Sequence, residues 1–312
     1  MISKNPTLGV ILAFFAALLF GLNASTSKVV MASGISPDSI VLFRSAAAAL
    51  IAGLVVLIQN RKDFALKLRE LPFLVGFGIF GIALMQWAYS NAVSRLPVGI
   101  ALLFEYTAII ITPIAALLLF KQRTSSKLWI GVALVIGGLV IVGQIWNGGL
   151  DAVGVAFAFA AAFLLSAYFI MGERAALNRS PMSTMFYTMS VSTIFWLIFS
   201  PWWNFDPAKF SEPINLTANL AAITVPGWFA FVWLGVMGSF MPMMLSFTAL
   251  KHVSATVVSV VSTAEPVFAF LFGLLWLSEN ISGLQMLGGL LVLLGILIAQ
   301  TAKATPLAER KT

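Results

Sequence analysis

Residues 97–120 read PVGIALLFEYTAIIITPIAALLLF, an apolar run with one carboxylate, Glu105, in its interior. A helix needs about 20 mainly apolar residues to cross the hydrocarbon core of a bilayer. A charged side chain at that depth costs at least about 2.5 kcal/mol on insertion scales, so it is kept where it faces a bundle interior, a partner or a watery path. A second run, SATVVSVVSTAEPVFAFLFGLLWL at 254–277, repeats the pattern around Glu265. These two runs set the expected fold: a bundle of membrane-spanning helices with carboxylates inside.

The rest of the chain agrees. Its 312 residues are 60% hydrophobic and 9% charged, with a mean hydropathy of +1.01, whereas soluble domains carry about 25% charged residues. The net charge of +7 sits in short loops between apolar runs; that is a topology signal, not a nucleic-acid surface. With no cysteine and one histidine, disulfides, thiolate chemistry and His-rich metal sites are excluded, and the sequence calls for no metal and no cofactor. The first apolar run, from about Leu8 to Met31, exceeds the roughly 7–15 residues of a signal-peptide core and reads as a retained span.

Ten spans are expected, at about 8–31, 38–58, 72–93, 97–120, 128–146, 152–172, 182–201, 226–250, 254–277 and 283–301. With the N-terminus inside, the cytoplasmic loops collect most of the basic residues, among them Arg61, Lys62, Lys121, Arg123 and Arg179. The outside keeps only Lys28, Arg95 and Lys209. By the positive-inside rule both termini are then cytoplasmic, which needs an even number of spans. The longest loop, from Trp202 to about Val225, is rich in Trp, Pro and Asn.

The two halves also resemble each other. Gly9 and Phe14 match Gly154 and Phe159 at an offset of 145, and Ser36-Pro37 matches Ser180-Pro181 at 144. Beyond the long loop the offset is 157, pairing Ala92 with Ala249, Ser125 with Ser282, Gly131 with Gly288 and Gly138 with Gly295. Each repeat would hold five spans, an odd number, so the halves would lie in opposite orientations. Inverted repeats around a midplane site are the architecture of many secondary transporters.

Over nearly its whole length the chain resembles the EamA-type branch of the drug/metabolite transporter superfamily. Phe20-Gly21-Leu22-Asn23 with Lys28 is similar to the first-span motif, and Gly34-Ile35-Ser36-Pro37 followed by Arg44 to the entry of span two. Ala101-Leu102-Leu103-Phe104-Glu105-Tyr106 resembles the fourth-span segment of amino-acid-exporter-like members. Ala264-Glu265-Pro266-Val267, then Leu277-Ser278-Glu279, resembles the ninth-span signature. The chain departs at Ile109, where the repeat calls for a counterpart of Pro266, and at Gln122, the counterpart of Glu279. The resemblance implies two EamA-like five-helix repeats, 1–147 and 148–302, and a short cytoplasmic tail, 303–312. It implies export of small metabolites, amino acids among them, or drugs across a bacterial plasma (inner) membrane.

The candidates for proton coupling or substrate binding are Glu265, Glu105 and Arg44. A carboxyl at span depth can exchange a proton for substrate or bind a cationic amine; alternatively it locks helices by a hydrogen bond or a salt bridge to Arg44. Arg44 calls for a carboxylate or carbonyl partner, or binds a substrate carboxylate. Lys28 is expected to snorkel to the interface. Asn23, Gln86, Trp87, Tyr89, Asn91, Tyr106, Tyr168, Ser262 and Thr263 are candidate cavity-lining residues, with Trp87 and Tyr106 able to stack on an apolar or quaternary substrate. The competing roles are interfacial belts and interhelical hydrogen bonds.

Pro113, Pro242 and Pro266 fall inside spans, where each frees a backbone carbonyl. They read either as static kinks or, at Pro266, as a helix break beside a carboxylate. Gly131, Gly137, Gly138, Gly288, Gly289 and Gly295 form small-residue faces for scaffold packing or a dimer contact. His252 reads as a surface residue at a cytoplasmic turn.

A membrane enzyme is disfavoured, since there is no H-E-x-x-H motif and no intramembrane aspartate pair. No Walker motif offers direct ATP drive. A scaffold or receptor would not call for carboxylates at depth, and a channel would more often assemble around a filter. The expected partners are a small-molecule substrate, protons and the lipid bilayer, with no nucleic acid, in a monomer or homodimer. The expected function is secondary export by alternating access, with a facilitative or exchange permease (uptake) as the alternative.

Overall fold

The computed structural model describes residues 5–108, 110–111, 126–144, 149–253, 258 and 261–300. It is a helical bundle, and six of its helices are long and apolar enough to cross a membrane. Helix α1 (Pro6–Ala32) is capped by Asn5, whose side chain accepts from Leu8 N at 3.1 Å. Helix α2 (Pro37–Gln59) opens on Ser36-Pro37, and α8 (Pro181–Phe199) on Ser180-Pro181, with the serine capping in both cases. Proline at the first helical position loses only a donor that a helix start leaves unpaired anyway.

Between them, α3 (Leu71–Gly76) runs through a π-helical stretch, Phe77–Leu84, into α4 (Met85–Arg95). Next come α5 (Val98–Glu105), α6 (Ser126–Gly143) and α7 (Ala152–Asn178). After the long loop, α9 (Gly227–Gly235) passes through a second π-helical stretch, Val236–Phe240, into α10 (Met241–His252). Helices α11 (Ala264–Leu275) and α12 (Gly283–Gln300) follow.

Two expectations change here. The run at 97–120 is not one unbroken described helix: α5 stops at Glu105 and a turn follows at Tyr106–Thr107. In the run at 254–277 a turn at Thr263 precedes α11. Pro266 therefore lies in the first turn of α11, at a helix start, whereas Pro242 lies inside the continuous helix 227–249, just after its π-helical stretch. Pro113 lies outside the described residues.

The bundle has an apolar outside and an apolar core that also holds polar side chains. Asn23, Arg44, Gln86 and Glu105 are buried, while Leu50, Phe163, Ile198 and Leu290 are exposed, as expected where lipid is the solvent. Small residues set the closest approach: a Cβ on Gly131 would lie 2.6 Å from Gly295 O, and one on Gly138 2.7 Å from Gly288 O. The glycine faces thus pack α6 against α12 within one chain, and rising numbers on one helix meet falling numbers on the other, so the two run antiparallel. Helices α2 and α8 also meet antiparallel, through Ser45 with Ser192 and Gly53 with Phe186. Helix α1 packs on α10 and α11, and α7 packs on α4 and α5.

The two ends of the bundle are tied differently. At the end holding the N-terminus, Arg179 pairs with Glu70 and donates to Ala65 O at 2.7 Å, and Ser180 bonds Asp63. The backbone N–H of Asn5 donates to His252 Nδ1 at 3.3 Å, so this histidine helps to hold α1. A cavity of about 210 Å³ opens at this end, lined by residues including Gln59, Asp63, Ser180 and Thr248. At the opposite end the long loop carries a two-stranded antiparallel ribbon, β1 (Pro213–Asn215) with β2 (Thr224–Pro226). Phe205 and Phe210 of that loop stack on Phe43 and Phe231. Trp276 Nε1 donates to Leu216 O at 2.8 Å, tying the loop to the end of α11.

Lys28 does not snorkel away. Its ammonium pairs with Glu279 at 2.6 Å and donates to Leu96 O at 2.7 Å. Glu279 also accepts from Val98 N, capping α5. The sequence expectation considered Lys28 alone, whereas the fold supplies a carboxylate 251 positions away.

Candidate functional site

Helices α5 and α11 meet antiparallel: Gly99 abuts Phe270 near one end and Tyr106 reaches Glu265 at the other. This brings together the two carboxylates singled out in the sequence. The Tyr106 hydroxyl donates to Glu265 Oε2 at 2.7 Å. Glu105 is 5% exposed, and its Oε2 has no hydrogen-bond partner among the described residues. Glu105 and Glu265 lie within electrostatic reach of each other.

The half-helices present opposite polarity. Glu105 is the last residue of α5, at the negative end of the helix dipole; Glu265 lies in the first turn of α11, at the positive end. A carboxylate at a helix C-terminus gathers negative potential and suits a cation. One at an N-terminus is itself stabilised.

Arg44 is not paired with either carboxylate. It is 4% exposed and reaches the second π-helical stretch, with Nε donating to Ser239 Oγ at 2.9 Å and Nη2 to Gly238 O at 3.0 Å. The local cause is Pro242. In a regular helix its N–H would bond the carbonyl four residues back, at Gly238; proline has none, and Arg44 takes that carbonyl instead. Gly238 packs directly on Asn23: a Cβ there would come 2.2 Å from Asn23 Oδ1. Arg44 Nη1 is left with no partner among the described residues.

Tyr89 connects these groups. It is buried, its hydroxyl has no hydrogen-bond partner among the described residues, and it lies within electrostatic reach of Arg44, Glu105 and Glu265. Tyr168 lies within reach of Glu265 and stacks on Phe77, with centroids 5.8 Å apart. Asn23 and Gln86 are buried; Asn23 accepts from Ser27 at 3.4 Å and Gln86 Oε1 has no partner among the described residues. Thr263 is buried at the turn before α11, and Ser262 beside it is half-buried.

Trp87 is half-buried, with Phe157 and Trp196 as ring neighbours at 5.2 and 6.0 Å. Asn91 donates to Trp87 O within its own helix. Sequence reasoning missed Gly238 and Ser239. The signal was present: Gly81 and Gly238 share the 157 offset, and Pro242 stands four residues beyond Gly238. Among the described residues there is no cluster of His, Cys, Asp or Glu able to hold a metal ion.

The geometry now meets known proteins. The model of the EamA-like transporter family matches residues 7–144 and again 152–301. The pseudopaline exporter CntI of Pseudomonas aeruginosa is 26% identical over 95% of this chain and 97% of its own. The threonine/homoserine exporter RhtA of Escherichia coli K12 is 23% identical over 81% of this chain and 78% of its own. The uncharacterized transporter YdfC of Bacillus subtilis is 24% identical over 90% and 88%. A solved crystal structure with 18% identity superposes with a TM-score of 0.60 over 93% of this chain and 96% of that one, which is a likeness of fold. With apolar helices on the outside and family matches across both halves, this multi-pass membrane protein belongs to the EamA-like transporter family.

Proposed function

We propose that this chain is a secondary exporter of amino acids or related small metabolites, working by alternating access with protons exchanged at Glu265 and Glu105. Its architecture is ten spans in two inverted five-helix repeats, 1–147 and 148–302, in a bacterial inner membrane with both termini, including the tail 303–312, cytoplasmic. Several observations support the repeat. Gly9 abuts His252 and Val253, and its counterpart Gly154 abuts Arg95 and Leu96, which are those same partners shifted by 157. Both π-helical stretches fall at matching places, and two counterpart helix pairs (α2 with α8, α6 with α12) each meet antiparallel.

The observation that carries the function is the carboxylate pair at two helix breaks inside the bundle, with Tyr106 on Glu265 and an orphaned oxygen on Glu105. Discontinuous helices whose ends face a central site are a recurring way to bind ions and polar solutes within a membrane. A site of this kind holds either protons or the ammonium group of a substrate, and competition between them couples the two flows. Relatives named as exporters of threonine/homoserine and pseudopaline support the direction and the substrate class.

The test compares extracellular metabolites from cells overproducing wild type, Glu265→Gln, Glu105→Gln and an empty vector. A metabolite that accumulates outside with wild type and returns to background in either variant, at equal membrane levels, is the expected result. Accumulation unchanged in both variants would remove the carboxylate mechanism while leaving export. No change with wild type would favour uptake or exchange instead.

A further inference from the structure

Arg44 is a buried cation whose structural bonds use only part of its guanidinium. Nε and Nη2 are fixed on Ser239 and on the Gly238 carbonyl freed by Pro242, while Nη1 has no partner among the described residues. No carboxylate lies within ion-pair distance of it among the described residues. A guanidinium inside a membrane bundle is costly without an anion, and its planar fork suits a carboxylate.

The level of the residues matters as well. Arg44 lies seven residues into α2, Glu105 seven into α5, and Tyr89 six from the end of α4, all counted from the same face of the bundle. At about 1.5 Å per residue, each lies roughly 10 Å below that face. Helix α4, carrying Tyr89, packs on α2 and adjoins α5. One layer therefore holds an unsatisfied guanidinium edge, an unpartnered tyrosine hydroxyl and a carboxylate with an orphaned oxygen at the negative end of a helix.

We propose that Arg44 is the carboxylate anchor of the transport site and sets its substrate class: a solute with a carboxylate, docked on Arg44 Nη1, and an ammonium, docked on Glu105. This rests on the export reading above and adds the orientation of the solute within the site. A phosphate ester or a dicarboxylate without an amine would bring a second anion toward Glu105 and Glu265 and be rejected. An amine without a carboxylate would leave the Arg44 edge unpaired.

The test begins with the solute that wild-type cells export, identified by untargeted metabolite profiling. Reconstituted wild type, Arg44→Met, Arg44→Lys and Ser239→Ala are then assayed for transport of that solute in competition with its carboxamide. The exported solute is expected to carry both a carboxylate and an ammonium. Wild type should prefer acid over amide at least about tenfold, the scale of a charge-assisted hydrogen bond, and Arg44→Met should reduce that preference to within about twofold. Arg44→Lys should keep part of it, and Ser239→Ala, which retains the cation, should keep most of it. If Arg44→Met fails to assemble, loss of the preference in Arg44→Lys, which keeps the charge without the fork, carries the test.

An exported solute without a carboxylate would overturn the proposal while export stands. So would a preference for the acid that survives in the assembled Arg44 variants. If wild type exports nothing, the export reading falls first and this assignment falls with it.

Discussion

Helices α5 and α11 pack against each other and each borders a turn and a carboxylate, yet they meet it from opposite ends. Glu105 closes α5; Glu265 lies in the first turn of α11 and receives the Tyr106 hydroxyl. A helix terminus is worth about 0.3–1 kcal/mol to a nearby charge, with opposite sign at the two ends. The difference teaches that two carboxylates on packed helices can sit in unlike settings. One is a carboxyl braced by a tyrosine hydroxyl, and the other is a place where a cation completes the site.

The largest effects should come from erasing that difference. Glu105→Gln and Glu265→Gln each remove a charge-assisted interaction worth about 1.5–3 kcal/mol, so export should fall roughly ten- to a hundredfold. They should differ in kind: Glu105→Gln raises the substrate concentration for half-maximal transport, whereas Glu265→Gln flattens the dependence on pH. Flux measured across a pH series separates them, and identical profiles would break the comparison.

Gly138→Ala probes the packing of α6 on α12. A Cβ at Gly138 would lie 2.7 Å from Gly288 O, and overpacking of this kind costs about 1–3 kcal/mol. The detergent-solubilised variant should melt several degrees lower by thermal unfolding, with the acid-over-amide preference unchanged in the surviving protein. Tyr106→Phe removes one buried hydrogen bond from Glu265 alone, about 1 kcal/mol. A roughly fivefold loss of transport is expected, with membrane levels by immunoblot unaffected.

Lys28→Met is the mildest. The ion pair with Glu279 is partly exposed and worth up to about 1 kcal/mol, while Glu279 still caps Val98. A small fall in melting temperature with transport kept within about twofold is expected.

Much of this was legible in the sequence, for identifiable reasons. The spans announce themselves because lipid demands long apolar runs, and the observed bounds of α1, α2 and α8 differ from the expected ones by one or two residues. The carboxylates stood out because charge is rare at depth. The break after Glu105 did not, because no proline marks it as Pro266 marks α11. The ribbon in the long loop was equally hidden: each strand is three residues long, with no alternation to read. The partners of Lys28 and Arg44 lie 251 and 195 positions away, and only the folded arrangement of helices brings them together.

The most direct test of the central claim is proton movement itself. Purified protein would be reconstituted with the exported metabolite inside the vesicles, and the internal pH followed with a trapped dye as the metabolite leaves. The account predicts inward proton flow with wild type and none with Glu265→Gln. Metabolite efflux from wild type without proton flow, or proton flow undiminished in Glu265→Gln, would contradict it.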